Sequence, residues 1–320
     1  MLLVIINIAS IASLVWTLRD AHLSQLRDDV LALDWSWMTA ACISAVAIFL
    51  WQALRWRLVL HPVARLGFWE TARALYVGMF ANEVLPLRAG EVIRCYLLAR
   101  RPDLPLSVAL TSLLIERVFD GILLVASLLL VLPYIPVPAA LRYVVDGAYV
   151  LGIVVLVLAA VLGLAMFWKR GPPAVNPGSG KWRKHIQILI EDLGKIGHSR
   201  YLLLAFAASV PLLLFQTIPL YMALQAYRLD FSALAAFAIA LLLRLGSAIP
   251  QAPANPAIPL FLAAVLQNVF SLESSEASRV GLVLWAVVTL PLIVSGLVAL
   301  AVTDMKLGEL RRAALDARST

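Results

Sequence analysis

Long apolar runs are the feature that most constrains this chain. Because an α-helix rises about 1.5 Å per residue, roughly 20 apolar residues cross the ~30 Å hydrocarbon core of a membrane. Hydrophobic residues make up 62% of the chain and charged residues 14%, a composition rare in soluble domains. We therefore predict an all-α polytopic membrane helical bundle forming a single integral membrane domain over 1–320. Six runs have the length of a transmembrane helix: about 1–18, 35–57, 106–132, 143–168, 201–227 and 279–302.

Two further apolar segments, about 66–99 and 231–270, are interrupted near their middles by proline, glycine and polar residues. This pattern is typical of broken or re-entrant helices. In each half of the chain, one such segment stands between two spans, and the two halves run in opposite directions. The order predicts an inverted repeat, with a first repeat at about 35–132 and a second at about 201–302.

Basic residues mark the expected cytoplasmic ends of the spans, since Lys and Arg are enriched in cytoplasmic loops. The sequence "RWR" at 55–57 closes the second span, Arg100 and Arg101 precede the third, and the loop at 168–200 is rich in Lys and Arg. The connection at 19–34 is acidic on balance, which favours the outer side. Both termini are then expected in the cytoplasm.

The long basic loop is predicted to contain a flexible linker at 171–180 and an amphipathic cytoplasmic helix at about 181–197. Apolar residues recur there at spacings of four and three, opposite several lysines, as in a helix lying at a membrane surface. Anchoring on anionic lipid and a regulatory role both remain open. The apolar stripe consists of Trp182, Ile186, Leu189, Leu193 and Ile196.

The remaining composition excludes several classes of function. The net charge is +7, but the basic residues cluster at the ends of apolar runs rather than along a solvated stripe, so we expect no nucleic-acid partner. The four histidines and two cysteines lack the spacing of a metal site or a disulfide framework. No phosphate-binding glycine loop or nucleophile motif occurs. We expect no metal, no cofactor and no enzymatic activity.

Polar residues surround the first interruption, in the stretch "NEVLPLRAGEVIR" at 82–94. Charges inside a membrane are costly unless they are paired or hydrated. Arg88, Glu91 and Arg94 have i, i+3, i+6 spacing, so on a helix they share a face and can pair alternately. Gly90 permits a close approach of two backbones. We predict that Arg88 contacts an anionic group, with Asn82 and Arg94 nearby.

The third span opens with a second charged cluster, "LIERVFD". Glu116 and Asp120 lie four residues apart on one helix face, and Arg117 reaches Asp120 at i+3. A salt-bridge network that only joins helices would explain these charges. A binding site for an anionic group would also explain the helix break, because a broken helix directs free N–H groups towards one point.

The second interruption, at 247–261, carries no charge but contains four prolines. Its main polar side chains are Gln251 and Asn255, and Arg244 precedes it by about one turn. A structural kink and a second half of the site are both consistent with this sequence. Arg244 either lines a shared cavity or extends to the membrane surface.

These motifs resemble the lysylphosphatidylglycerol synthase transmembrane region, also called the flippase-like domain family. The resemblance rests on "ANEVLPLRAGEVIRCYLLARR", "SVALTSLLIERVFDGILLV" and "PQAPANPAIPLF", and it covers nearly the whole chain. In the second interruption, Ala254 and either Ala257 or Ile258 stand where the family has glycines, and Phe261 or a neighbour replaces the family's polar residue. The family consists of bacterial and archaeal polytopic membrane proteins that move lipids or lipid-linked molecules between leaflets.

The resemblance implies a flippase-like transporter of the bacterial cytoplasmic (inner) membrane that moves a lipid with an anionic head group. Arg88 and Arg94 would hold a phosphate-like group, Glu91 and Glu116 would orient them, and Asp120 would fix Arg117. Membrane lipids are the expected partners, and a lipid-modifying partner enzyme and a homo-oligomer remain open. The alternatives are a non-transporting lipid-binding scaffold that presents lipid to a partner enzyme and a membrane-embedded transferase.

Overall fold

The computed structural model describes residues 12–85, 89–101, 103–134, 142–167, 181–197, 199–247 and 255–303. Within these ranges the regular structure is helical and no strand occurs, as the sequence predicts. Residues 12–20 are helical. The helices that follow are α1 Leu23–Ala32, α2 Trp35–Leu60, α3 Phe68–Val84, α4 Gly90–Leu98, α5 Leu106–Val131, α6 Arg142–Phe167, α7 Lys181–Gly197, α8 Arg200–Phe215, α9 Ile218–Ala226, α10 Ala233–Ser247, α11 Ile258–Phe270 and α12 Ser274–Val302.

Three of these helical stretches are long and apolar enough to cross a membrane: Trp35–Leu60, Arg200–Ala226 and Ser274–Val302. Helices α5 and α6 each have 26 residues, and the three charges of α5 interrupt its apolar character. The expected span at 1–18 lies mostly outside the described residues. The chain is therefore a multi-pass membrane protein, as its apolar runs predict.

Helix α2 lies at the centre of the bundle, packed against α3, α5, α8, α9 and α12. Its apolar residues contribute to buried clusters in both halves of the molecule. Helix α6 lies at the periphery, and among the described elements it packs mainly on α5 and α7. The functional groups discussed below lie along α2 and α5 because these helices pass through the interior.

At the first interruption α3 ends at Val84 and α4 begins at Gly90, as the sequence predicts. The two helices pack directly on each other. A Cβ atom built on Gly90 would lie 1.8 Å from the carbonyl oxygen of Gly78, and one built on Gly78 would lie 2.6 Å from the carbonyl oxygen of Gly90. Glycine at both positions therefore permits the backbone contact that holds the two helices together.

The second interruption separates α10, which ends at Ser247, from α11, which begins at Ile258. Asn255 precedes α11 with a φ of 46°, a left-handed conformation that asparagine adopts more readily than most residues. Pro259 follows in the first turn of α11, where its missing N–H costs no helical hydrogen bond. Helix α11 then packs along α12.

Two predicted segments differ from the structure. The connection at 19–34, for which the sequence predicts no helix, contains helix α1. Polar contacts secure this helix to α12, since Arg279 donates to Asp29 at 2.6 Å and to Gln25 at 2.7 Å. A search for apolar periodicity misses a helix that is held in this way.

The predicted continuous span at 201–227 divides into α8 and α9, with a turn at Gln216 and Thr217. Pro219 lies in the first turn of α9. Because proline has no backbone N–H, it cannot donate to the carbonyl four residues earlier, so the helical ladder is interrupted there. This break lies beside the cavity described below.

Helix α7 corresponds to the predicted amphipathic helix and packs against α5 and α6. Leu193 and Ile196 of its stripe are buried, and Leu189 packs against the same core. Ile186 is 51% exposed. The C-terminal half of the stripe therefore contacts protein. The predicted linker at 171–180 lies outside the described residues.

Candidate functional site

A chain of buried ion pairs connects three helices. Glu116 of α5 accepts hydrogen bonds from Arg55 of α2 (Nη2 to Oε1, 3.1 Å) and from Arg94 of α4 (Nη2 to Oε2, 2.7 Å). The side chains of Arg55 and Glu116 are 0% and 2% exposed. One carboxylate therefore accepts hydrogen bonds from two buried guanidinium groups, which lie on two different helices.

Arg94 has a second neighbour in Trp56, the residue that follows Arg55 on α2. Its guanidinium carbon lies 4.5 Å from the centroid of the indole ring, which is within cation–π distance. The indole N–H of Trp56 donates to the hydroxyl of Ser112 at 2.8 Å, which fixes the plane of the ring. Within the described residues, Nε and Nη1 of Arg94 have no hydrogen-bond partner, so Glu116 is its principal acceptor.

The same chain continues to Asp120, one turn beyond Glu116 on α5. Arg55 donates to Asp120 through Nη1 and, at 3.5 Å, through Nη2, and it also donates to the hydroxyl of Ser209 at 3.2 Å. Arg244 of α10 lies on the other side of Asp120, with Nη2 3.6 Å from Oδ2. Asp120 therefore links the buried pair to a cation that precedes the second interruption.

A separate ion pair joins Arg117 of α5 to Glu91 of α4. The Arg117 side chain is 45% exposed and that of Glu91 is 19% exposed. Both are accessible from the space between the helices.

Four of these groups, Glu91, Arg117, Asp120 and Arg244, line a cavity of about 290 Å³ in the interior of the bundle. Asp120 lies fourteen residues after the start of α5, or about 21 Å along a helix of about 39 Å, so the cavity lies near the middle of the spans. Helices from both halves of the chain contribute to its wall. The polar lining residues are Gln52, Asn82, Glu83, Glu91, Arg117, Asp120, Gln216, Arg244, Asn255 and Thr289.

The two interrupted segments meet at this cavity. Asn255, which precedes α11, donates its side-chain amide to the carboxylate of Glu83 at the end of α3, with 3.4 Å to each oxygen. The breaks in α3–α4 and α10–α11 therefore bring polar residues from distant parts of the sequence to one place.

The structure brings together most of the residues proposed from sequence. Arg94 and Glu116 belong to the buried series of ion pairs behind the cavity wall. Arg88 and Gln251 lie outside the described residues. Arg244 lines the cavity, which favours the first of the two alternatives given above. The cavity-lining residues among those proposed are Asn82, Glu91, Arg117, Asp120, Arg244 and Asn255.

The predicted pairings of Glu91 with Arg94 and of Asp120 with Arg117 are wrong, whereas the predicted pairing of Glu91 with Arg88 lies outside the described residues. Glu91 pairs with Arg117 of the next helix, not with Arg94, and Asp120 pairs with Arg55 and Arg244, not with Arg117. Side chains on two packed helices point towards each other across the interface. Side chains three or four residues apart on one helix point in nearly the same direction. The predicted role of Glu116 in orienting Arg94 is consistent with the ion pair between them.

Arg55 belongs to this buried ion-pair network, whereas the sequence "RWR" predicts only the cytoplasmic end of the span. The structure buries Arg55 completely. One signal was available in the sequence, since α2 continues through the apolar residues Leu58, Val59 and Leu60. An arginine more than one turn before the end of an apolar helix is expected to face the protein interior.

The charged groups of the site balance each other, with four arginines and four carboxylates among the described residues. The arginines Arg117 and Arg244 have side chains 45% and 22% exposed, so their guanidinium groups are reachable from the cavity. Guanidinium groups form two parallel hydrogen bonds with phosphate or carboxylate oxygens. The same cavity is also lined by the carboxylates of Glu83, Glu91 and Asp120.

A helical bundle with apolar spans, whose two interrupted segments meet at a charged internal cavity, defines the class as a polytopic membrane protein. The family model described as "Lysylphosphatidylglycerol synthase TM region" matches residues 3–296. The chain belongs to this family. The resemblance noted from the motifs is thereby confirmed.

One relative shares a shorter region with the chain. The protein named Glycosyltransferase AglD, from Haloferax volcanii, is 32% identical over 87 residues. The match covers 26% of this chain and 14% of that relative. The similarity therefore concerns a small part of the archaeal protein.

Proposed function

We propose that this protein moves a lipid or lipid-linked amphiphile with an anionic head group between the two membrane leaflets. The observation that carries the proposal is the cavity near the middle of the spans, lined by Arg117 and Arg244. A head group crossing a membrane loses its hydration, and a polar site near the midplane would lower that barrier. Membership of the family is consistent with a lipid-related role.

The two interrupted segments support transport, because substrate sites of many transporters form where discontinuous helices meet. The contact between Asn255 and Glu83 joins these segments beside the cavity. We extend the proposal to an inverted repeat and to cytoplasmic placement of both termini in a bacterial inner membrane, on the distribution of Lys and Arg. In this proposal the protein carries out no covalent chemistry.

The test is the movement of fluorescent phosphatidylglycerol in proteoliposomes, measured by the fraction of label that an impermeant reductant quenches. Wild-type protein is expected to equilibrate the label between leaflets. Arg244→Gln should abolish this movement, and Arg244→Lys should restore only part of it, because an ammonium group keeps the charge but lacks the planar donor pair of arginine.

Arg73→Gln is the matched control, since Arg73 is an exposed arginine of α3 that does not line the cavity. Its movement of label should equal that of wild type. If Arg244→Gln moves the label at the wild-type rate, the proposed role of the cavity is wrong.

A second candidate function is a non-transporting scaffold that presents lipid to a partner enzyme. The observation that favours it is the regional similarity to a relative named as a glycosyltransferase, since such a domain would hold a lipid-linked substrate for an enzymatic step. Wild-type protein that binds phosphatidylglycerol but never moves it, under any imposed ion gradient, would favour the scaffold over the transporter.

A further inference from the structure

A second, apolar cavity lies on the other side of the α2 wall. It has a volume of about 380 Å³ and contains almost no polar surface. Eight of its nine lining residues are apolar, and the ninth is Ser44, whose hydroxyl donates to the carbonyl of Ala41 at 2.8 Å. We call this cavity the apolar groove; its lining residues are Ser44, Ala47, Ile48, Leu50, Trp51, Leu54, Phe68, Phe215 and Ile218.

The apolar groove and the polar cavity share a wall. Ile48 lines both of them. At the break between α8 and α9, neighbouring residues face the two spaces in turn: Phe215 and Ile218 line the groove, whereas Gln216 and Pro219 line the polar cavity. The two spaces therefore lie next to each other at this break.

The length of the groove matches one leaflet. From Ser44 to Leu54 the helix α2 rises about 15 Å, which is half of the ~30 Å hydrocarbon core. Over the same stretch, from Ala45 to Gln52, the helix lines the polar cavity. A hydrocarbon chain of that length would lie in the groove beside the polar cavity, at the same level of α2.

The groove is bounded by fixed side chains. The indole N–H of Trp51 donates to the carbonyl of Ala208 at 2.8 Å, and its ring meets that of Phe215 edge to face at 5.3 Å. A wall held in this way keeps its shape, so a chain in the groove gains dispersion contacts without rearranging the protein. Hydrophobicity alone gives no preference over surrounding lipid, but attachment to a bound head group raises the local concentration of the chain.

We propose that the apolar groove binds one hydrocarbon chain of the amphiphile whose head group occupies the polar cavity. This proposal rests on the function proposed above and assigns the substrate class more closely: the transported molecule has a chain long enough to span one leaflet. We place the connection between head group and chain at the break at Gln216–Thr217, where neighbouring residues line the two spaces.

The experiment uses phosphatidylglycerol that carries a photoactivatable diazirine in its acyl chain. The labelled lipid is incorporated into vesicles that contain the purified protein. Crosslinked peptides are identified by mass spectrometry. Crosslinks to α2 around Trp51 and to Phe215 are expected, and an excess of unlabelled phosphatidylglycerol should remove them. Crosslinks to the exposed apolar surface of α6 come from surrounding lipid and should not be removed.

Ala47→Trp fills the groove and should eliminate the competed crosslinks. Ala160→Trp makes the same substitution at an exposed position of the peripheral helix α6 and should leave them unchanged. Groove crosslinks that resist competition, or that survive Ala47→Trp, would overturn the proposal.

A head-group variant separates this proposal from the function on which it rests. Arg244→Gln should also eliminate the competed groove crosslinks, because the chain then lacks its anchor. If competed crosslinks persist in Arg244→Gln but are lost in Ala47→Trp, the groove binds a chain while the proposed head-group site is wrong. If crosslinking behaves as expected but no leaflet movement occurs in wild type, the chain site stands and transport does not.

Discussion

The side-chain amide of Asn255 donates to the carboxylate of Glu83, with its nitrogen 3.4 Å from both oxygens, although the residues are 172 positions apart in sequence. Each stands where an apolar segment is interrupted: Glu83 at the end of α3 and Asn255 before α11. A helix break in a membrane exposes backbone groups that need polar surroundings. Placing the two breaks together meets both needs with one polar cavity.

The backbone of Asn255 gives the first prediction. Its φ of 46° is unfavourable for a residue with a Cβ by about 1–2 kcal/mol, whereas glycine adopts it freely. Asn255→Ala should therefore lower the melting temperature in mild detergent more than Asn255→Gly does, although both lose the contact with Glu83. Equal melting temperatures for the two variants would contradict the left-handed conformation.

The contact between α3 and α4 gives the second prediction. A Cβ atom on Gly90 would lie 1.8 Å from the carbonyl oxygen of Gly78, and the obstacle is backbone that cannot rotate away. Gly90→Ala should force the helices apart, at a cost of about 1–3 kcal/mol or more, measured as lost yield of monodisperse protein and a lower melting temperature. Gly163→Ala is the control, since nothing lies within 4 Å of a Cβ there.

The fold is largely predictable from sequence because the membrane restricts the choice. A run of apolar residues in lipid has to be helical to satisfy its backbone, so the bounds of α5 and α6 follow from their hydrophobicity to within one residue. Helix α2 ends three residues later than predicted, and α12 begins five residues earlier. Proline and glycine predict the breaks in the same way. What lacks a signal is helix α1, because polar contacts with α12 stabilise it rather than an apolar stripe.

The residues of the site are more predictable than their pairing. Charges within apolar runs are conspicuous, so Glu116, Asp120 and Arg94 stand out in the sequence. Their partners depend on how the helices pack: Arg55 and Asp120 are separated by 65 residues, and no local spacing relates them. Arg55 is harder to recognise because arginine also marks the cytoplasmic ends of spans. Sequence position alone does not separate a buried arginine from such a marker.

A third prediction concerns pH and the connection between α4 and α5. Arg101 donates to Asp103 at 2.9 Å and to Glu70 at 2.8 Å. The hydrogen bond from Arg101 to Asp103 lowers the pKa of the Asp103 carboxyl below its usual value. A lowered pKa in the folded state means that the stabilisation is present above the unfolded pKa of about 3.9 and is lost as the pH falls through the folded value.

Asp103→Asn should therefore lower the melting temperature slightly at pH 6, and the difference from wild type should disappear as the pH falls below the folded pKa of Asp103. In an Arg101→Gln background the same substitution should have no effect at pH 6. A difference that persists after Asp103 is protonated would show that the carboxylate charge is not the cause.

The last prediction compares the two acidic residues that pair with arginines across α4 and α5. Glu116→Ala leaves Arg94 buried without its principal acceptor, and removing one member of a buried pair typically costs about 3–5 kcal/mol. Glu91→Ala removes the partner of Arg117, whose side chain is 45% exposed, so water replaces the contact and the loss should be about 0.2–1 kcal/mol. Thermal unfolding in mild detergent, followed by tryptophan fluorescence, should show a much larger fall in melting temperature for Glu116→Ala.

Glu116→Gln keeps the side-chain volume and one acceptor oxygen, so its melting temperature should lie between those of Glu116→Ala and wild type. Equal falls for Glu116→Ala and Glu91→Ala would mean that water reaches Glu116 as readily as Glu91, and that the chain from Arg94 to Asp120 is hydrated rather than buried.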